Sequence, residues 1–175
     1  MKSLDFKYKK MVWLTGLLIF CSHLNALPNL SKEQKLKSAY LLNFTRYISW
    51  SDIAKNAPRP IFKLCLQSSS PMFSFMQELV AVSDLKKHHP KVQVVAIEQA
   101  QLCHLSYIQS ALSRPFSVLS DSLIVADSKN IKQPSTAITF FTEGRKLRFE
   151  IDLQVLQSSD LIVSSELLKL ARIKR

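Results

Sequence analysis

The chain has 175 residues, a length that suits one domain with a core of its own. Lysine and arginine total 24 against 13 acidic residues, a formal net charge of +11, and there are only two glycines, Gly16 and Gly144. Loops that cradle phosphates or dinucleotides need several glycines so that backbone can approach the ligand, which excludes nucleotide-dependent catalysis of those kinds.

The first 26 residues do not read like a domain. Lys2, Lys7, Lys9 and Lys10 stand against Asp5, and an uncharged apolar run follows from Met11 to about Cys21. Leu24 and Ala26 then sit where a small-residue cleavage site needs its −3 and −1 positions. A basic start, a short apolar run and this ending predict a secretory signal peptide over residues 1–26, cleaved near Ala26. The apolar run is about 11 residues, against the ~20 that span a bilayer as a helix. Cys21 is a poor lipoprotein site, because bulky Phe20 precedes it. Residues 27–175 then form a single domain exported through the inner membrane to the periplasm.

Removing residues 1–26 takes away four lysines, one aspartate and Cys21, leaving a net charge of +8 and the pair Cys65 and Cys103. An even pair in an oxidising compartment favours a disulfide. Closing that loop is worth roughly 4 kcal/mol in the chain-entropy model. Export argues against nucleic acid as the partner of the basic surface. The cations are also scattered, apart from Arg172, Lys174 and Arg175, as on a solvated basic surface.

Ser31 and Gln34 have capping-box spacing, so a helix is expected from Lys32. Projected as a helix, Leu36, Ala39, Tyr40, Leu41, Phe44, Tyr47, Ile48 and Trp50 share one arc. Lys35, Ser38, Thr45, Arg46 and Ser49 lie opposite, with Lys37 and Leu42 as exceptions. Asn43 sits inside the apolar arc, where a polar side chain must find partners. Residues 61–66 read as a buried strand. Ser70 with Pro71 starts a second helix, which runs to about Val82 and carries an apolar face of Met72, Phe73, Phe75, Met76 and Leu79. Strands are expected over 91–97, 105–108 and 123–126, with a helix over 109–114. A hairpin turning on Glu143-Gly144 would pair Phe140 with Leu147 and Ile138 with Phe149, and set Thr139 opposite Arg148 and Ala137 opposite Glu150. A last helix begins near Ser164 or Ser165, with Glu166 in its first turn and Lys169 and Arg172 near its end. This alternation predicts an α/β fold, a compact three-layer-like sandwich with a mainly parallel sheet and an antiparallel C-terminal hairpin.

Little of this supports catalysis. There is no nucleophile elbow. His88 and His89 have no further ligands at metal-binding spacing, and His104 lies beside Cys103. Cys65 is mid-strand and expected to be oxidised, a poor nucleophile. Glu150 and Asp152 share a strand face, which is no sign of acid–base chemistry. No catalytic residue, metal or cofactor is expected. Binding remains, and aromatic and arginine side chains are common interface anchors. The candidates are Asn43, Arg46, Tyr47 and Trp50 around the end of the first helix, with Phe141 and Arg148 on the outer hairpin face.

The run Ala39-Tyr40-Leu41-Leu42-Asn43-Phe44-Thr45-Arg46-Tyr47-Ile48-Ser49-Trp50 resembles the opening helix of the YfiR family. The closing run, Arg148-Phe149-Glu150-Ile151-Asp152-Leu153, then Leu156 and residues 162–172, resembles the end of the same family. Nearly all of residues 31–173 is covered. The resemblance implies a periplasmic α/β domain with a Cys65–Cys103 disulfide. It also implies repression of a membrane-bound diguanylate cyclase through its periplasmic part, with relief by an OmpA-like outer-membrane lipoprotein and lower cyclic-di-GMP output under repression. Other members accompany sensor kinases or outer-membrane receptors, so the alternative is a small-ligand sensor in which Arg46, Trp50 and Arg148 line one pocket. A homodimer is compatible with either. The chain departs from the family at Asn130, Ser135 and Thr136, where members often carry glycine. It also departs at Ser68-Ser69-Ser70, which stands for a glycine-and-acid turn, and it has no counterpart of a second disulfide.

Overall fold

The computed structural model describes residues 29–50, 61–83, 91–110, 122–127, 135–159 and 161–175. The expected signal peptide, His88-His89 and Asn130 lie outside them. Ser31 opens helix α1 (Lys32–Tyr47) with the predicted reciprocal cap, its hydroxyl accepting from the Gln34 N–H while the Gln34 side chain accepts from the Ser31 N–H.

The helix stops three residues short of the projected arc. Ile48–Trp50 is strand β1, and it pairs antiparallel with β8 (Leu161–Val163). The buried side of α1 is also rotated. Lys37, Ser38, Leu42 and Thr45 are buried with Leu41 and Phe44, whereas Leu36, Ala39 and Tyr47 are exposed. Two physical effects explain this. The Ser38 and Thr45 hydroxyls donate to the Gln34 and Leu42 carbonyls of their own helix, so they enter the interior already satisfied. The Lys37 ammonium meets two carboxylates, Glu33 at 2.7 Å and Asp127 at 2.9 Å. Helix α1 also touches α2 (Met72–Ser83) and α4 (Ser165–Leu170), so it is covered on more than one side.

The main sheet has seven strands in the order β3-β2-β4-β5-β6-β7-β9. These are β2 (Ile61–Leu66), β3 (Lys91–Ala96), β4 (Leu105–Ile108), β5 (Leu123–Asp127), β6 (Thr136–Glu143), β7 (Lys146–Asp152) and β9 (Arg172–Lys174). The first five are mutually parallel, and β7 runs antiparallel to β6. The expected α/β class and added hairpin are therefore present. Strand order reverses between β2 and β4, which are parallel neighbours, giving the doubly wound 2-1-3-4-5 order and a crevice at the carboxyl ends of those two strands. Gln109 and Ser110, expected to begin a helix, form a bend after β4; 111–114 lie outside the described residues.

The hairpin register differs by two residues from the expected one. Phe140 pairs with Phe149, Ile138 with Ile151, Thr139 with Glu150 and Phe141 with Arg148. Gly144 has φ +61° and is the only described residue with positive φ, so the turn is Gly144-Arg145 with glycine in the first central position. That is type II′ geometry, which matches the twist of the flanking strands. A slip of two keeps every side chain on its predicted face.

The larger core cluster lies between the helices and one sheet face. Tyr40 and Phe44 of α1 pack against Phe140 and Phe149 with ring centroids 5.2–6.0 Å apart. The opposite face holds a smaller cluster of Cys65, Ile97, Ala100, Cys103, Ile108 and Ile124. There Cys65 and Cys103 are bonded with Cα atoms 5.8 Å apart, stapling the β3–β4 connection onto β2. The expected disulfide is present.

Short elements close the domain. Asp152 ends β7 and caps α3 (Leu153–Gln157), accepting from the N–H groups of Gln154 and Val155. Ser164 caps α4 through the Leu167 N–H. Arg172, expected near the end of that helix, instead opens β9, which runs parallel to β7. Glu150 and Asp152 do share a face, as expected, and β9 brings a cation to each: Arg172 lies 2.6 Å from Glu150, and Lys174 lies 2.9 Å from Asp152.

Candidate interaction surface

The six candidate binding residues fall into two groups on opposite sides of the main sheet. Asn43 is half-buried on α1, and Arg46 and Tyr47 are exposed in its last turn. The Tyr47 carbonyl accepts from the Ser164 N–H at 2.9 Å, joining the end of α1 to the cap of α4. Trp50 belongs to the core. It is 9% exposed and meets Phe62 edge-on with centroids 4.6 Å apart. Its indole N–H is buried with no partner among the described residues.

Phe141 and Arg148 face each other across the outer side of the hairpin. The Arg172 guanidinium lies 3.8 Å from the Phe141 ring centroid, and Arg148 pairs with Glu143 at 2.6 Å. Helix α1 covers the other side of the same strands, since side chains alternate along a strand. Arg46, Trp50 and Arg148 therefore do not line one pocket.

Two further polar sites are internally satisfied. At the carboxyl end of β5, Asp127 accepts from Lys37 at 3.0 Å and from the Tyr107 hydroxyl at 3.1 Å, beside a cleft of about 80 Å³. His104 is structural: its Nδ1 accepts from the Lys63 N–H at 2.8 Å, and its ring stacks on Phe62. Among the described residues, no group of three or more His, Cys, Asp or Glu side chains is placed to hold a metal.

The open site is an apolar groove of about 520 Å³ between α3, β8 and α4, lined chiefly by Leu153, Leu156, Leu161, Ile162, Val163 and Leu168. Ile162 is 72% exposed, large for an isoleucine and at the rim of a concave apolar surface. Such surfaces mark binding sites. Its described lining is chiefly aliphatic, with Gln157 and Ser159 as polar members, so what it offers is burial of an apolar side chain.

Sequence reading did not find this groove. Its lining comes from three elements of six residues or fewer, too short to show a period. The available signal was Asp152, an N-cap residue placed one position before Leu153 and Leu156, which are spaced i, i+3.

Asp152 holds one wall of the groove. The Lys174 ammonium chiefly, with the N–H groups of Val155 and Gln154, keeps its carboxyl below the usual 3.8, against the opposing effect of burial. A depressed carboxyl contributes stability above pH 3.8 that disappears as pH falls through the folded value. Asp152→Ala should cost about 1 kcal/mol at pH 7. Asp152→Asn, which can still cap, should cost less. Urea unfolding at pH 7 and near pH 2.5 checks this, because the gap between wild type and Asp152→Ala should shrink at the lower pH.

The sequence profile of the YfiR/HmsC-like family matches residues 34–172, which take in most of α1, the main sheet as far as the start of β9, the disulfide and the groove. The chain belongs to that family. YfiR/HmsC-like domains are regulatory rather than catalytic, and the family is periplasmic. A search of curated proteins gave no significant match. In this YfiR/HmsC-like domain, no helix among the described residues is long and apolar enough to cross a membrane.

Proposed function

We propose that this YfiR/HmsC-like protein is an exported regulatory subunit that docks on the periplasmic domain of an inner-membrane diguanylate cyclase and lowers its cyclic-di-GMP output. The apolar groove around Ile162 is the docking surface in this reading, and an OmpA-like outer-membrane lipoprotein relieves repression by competing for the protein. The observation that carries the proposal is the coincidence of the family match, which extends through residue 172, with a chiefly aliphatic groove that presents a 72%-exposed isoleucine. Burying a side chain of this size on a partner supplies about 1.5–3 kcal/mol. The reading needs no cofactor and no enzymatic step.

A strain lacking the protein should hold several-fold more cyclic-di-GMP than its parent. Wild-type protein supplied in trans should restore the parental amount, and Ile162→Asp should not, although the variant remains disulfide-bonded and folded. An unchanged cyclic-di-GMP pool in the deletion strain would rule out the cyclase as target.

A further inference from the structure

Proteins with this strand order bind ligands outside the carboxyl ends of the two adjacent parallel strands at which strand order reverses. Here those ends are Leu66, which leads into Gln67, and Ile108, which leads into Gln109 and Ser110. The crevice is filled by the protein itself. Gln67 is 9% exposed, and its side chain crosses from the end of β2 to the end of β4. Its Oε1 accepts from the Gln109 N–H at 3.3 Å and the Ser110 N–H at 3.2 Å, and the Ser110 Oγ lies 3.2 Å away. Its Nε2 donates to the Ser110 Oγ at 2.9 Å. A second acceptor sits alongside: the Glu98 carboxylate takes the Ser68 N–H, 3.1 and 3.2 Å from its two oxygens. The Ser70 hydroxyl and the Gln109 side chain close the rim by hydrogen bonding to each other.

Two backbone N–H groups and one hydroxyl that converge on a single oxygen form a cradle suited to an oxyanion. We propose that the β2–β4 crevice is a small-oxyanion site, for a phosphate or carboxylate, whose ligand position is occupied by the Gln67 amide. Gln67 is thus a plug, and removing it opens a site for a free anion. Ser110 is exposed, so the mouth of the crevice reaches solvent.

The test is the thermal midpoint of the full oxidised protein with Gln67→Ala, in inorganic phosphate and in sodium chloride of equal ionic strength. Three orphaned donors should lower the midpoint of Gln67→Ala in chloride by roughly 3–9 °C. Phosphate should return several degrees to the variant and none to wild type. Equal phosphate shifts in the two proteins would refute the proposal. So would rescue by acetamide alone, which would mean that the donors accept the neutral amide and not an anion. Should Gln67→Ala fail to fold, a second pair of variants decides. Gln67→Glu sets a carboxylate on the same donors and should stay within about 3 °C of wild type, whereas Gln67→Leu, with no acceptor, should fall well below it. Equal losses in the two would overturn the assignment.

Discussion

Replacing both Cys65 and Cys103 with alanine should lower the stability of the mature domain by roughly 4 kcal/mol, a fall in midpoint of about 10–15 °C. The two cysteines lie 38 residues apart in sequence, and the bond removes the entropy of that loop from the unfolded chain. Its native surroundings add to the loss. Cys65 is fully buried and Cys103 is 4% exposed, within a small cluster that otherwise holds only Ile97, Ala100, Ile108 and Ile124, with Val95 packed against it. That face of the sheet has little else among the described residues to hold the β3–β4 connection down. Thermal unfolding of wild type with and without reductant, beside the double alanine variant, provides the check. Reduced wild type should fall to the level of the variant. A loss under 1 kcal/mol in both would mean that the bond does not restrict the unfolded chain as argued.

The second large effect is expected at Lys37. Its ammonium is tied to Asp127, 90 residues away, and to Glu33 one turn back on α1, while Asp127 also takes the hydroxyl of fully buried Tyr107. The side chains of Lys37 and Asp127 are 9% and 16% exposed, so water screens this pair weakly. Removing one partner strands the other charge. Lys37→Met should cost about 3 kcal/mol, the lower end of the range for buried pairs, because Glu33 is half-exposed. Lys37→Met combined with Asp127→Asn removes both charges and leaves an acceptor for Tyr107, so it should cost less than Lys37→Met alone. A double-mutant cycle measures that difference, and strict additivity would show that the pair is not coupled.

The same cluster sets a pH limit. Burial alone would lower the Lys37 pKa, but the hydrogen bonds to Glu33 and Asp127 outweigh it and hold the group above 10.5. A raised lysine contributes stability that is complete below the unfolded value and is lost as pH rises through the folded value. Burial, and then the Asp127 charge, raise Tyr107 well above 10, so the folded protein keeps a proton that the unfolded tyrosine gives up. Both groups act in one direction. Stability should decline from about pH 10 upward, and Lys37→Met with Asp127→Asn should flatten the decline.

The sheet was legible in the sequence because β2, β4 and β5 are short apolar runs and β6 and β7 alternate cleanly around Gly144. Face assignments survived even where register did not, since the slip was an even number of residues. Helix α1 departs from its apolar projection for a different reason. Apolarity marks the interior only when polar groups have no partners there, and Ser38, Thr45 and Lys37 all have them. Strands β1, β8 and β9 have three residues each, too few for any periodicity, and they are fixed by tertiary pairing alone. The candidate site suffered most from this. Tyr47 and Arg46 lie beside the junction of α1 with β8 and α4, the end of the domain at which the groove opens. Trp50 is no surface anchor, because β1 carries it into the core against Phe62. The groove itself is assembled from α3, β8 and α4, and its walls exist only once Asp152 and Ser164 have capped their helices.

The most direct measurement of the central claim is binding of the purified, oxidised mature protein to the isolated periplasmic domain of its cognate cyclase, by calorimetry, with Ile162→Asp and Arg148→Ala compared. Wild type and Arg148→Ala should bind alike, because Arg148 lies on the far face of the sheet, and Ile162→Asp should bind at least tenfold more weakly. Full affinity in Ile162→Asp, or loss of binding in Arg148→Ala alone, would place the regulatory contact elsewhere and contradict the account.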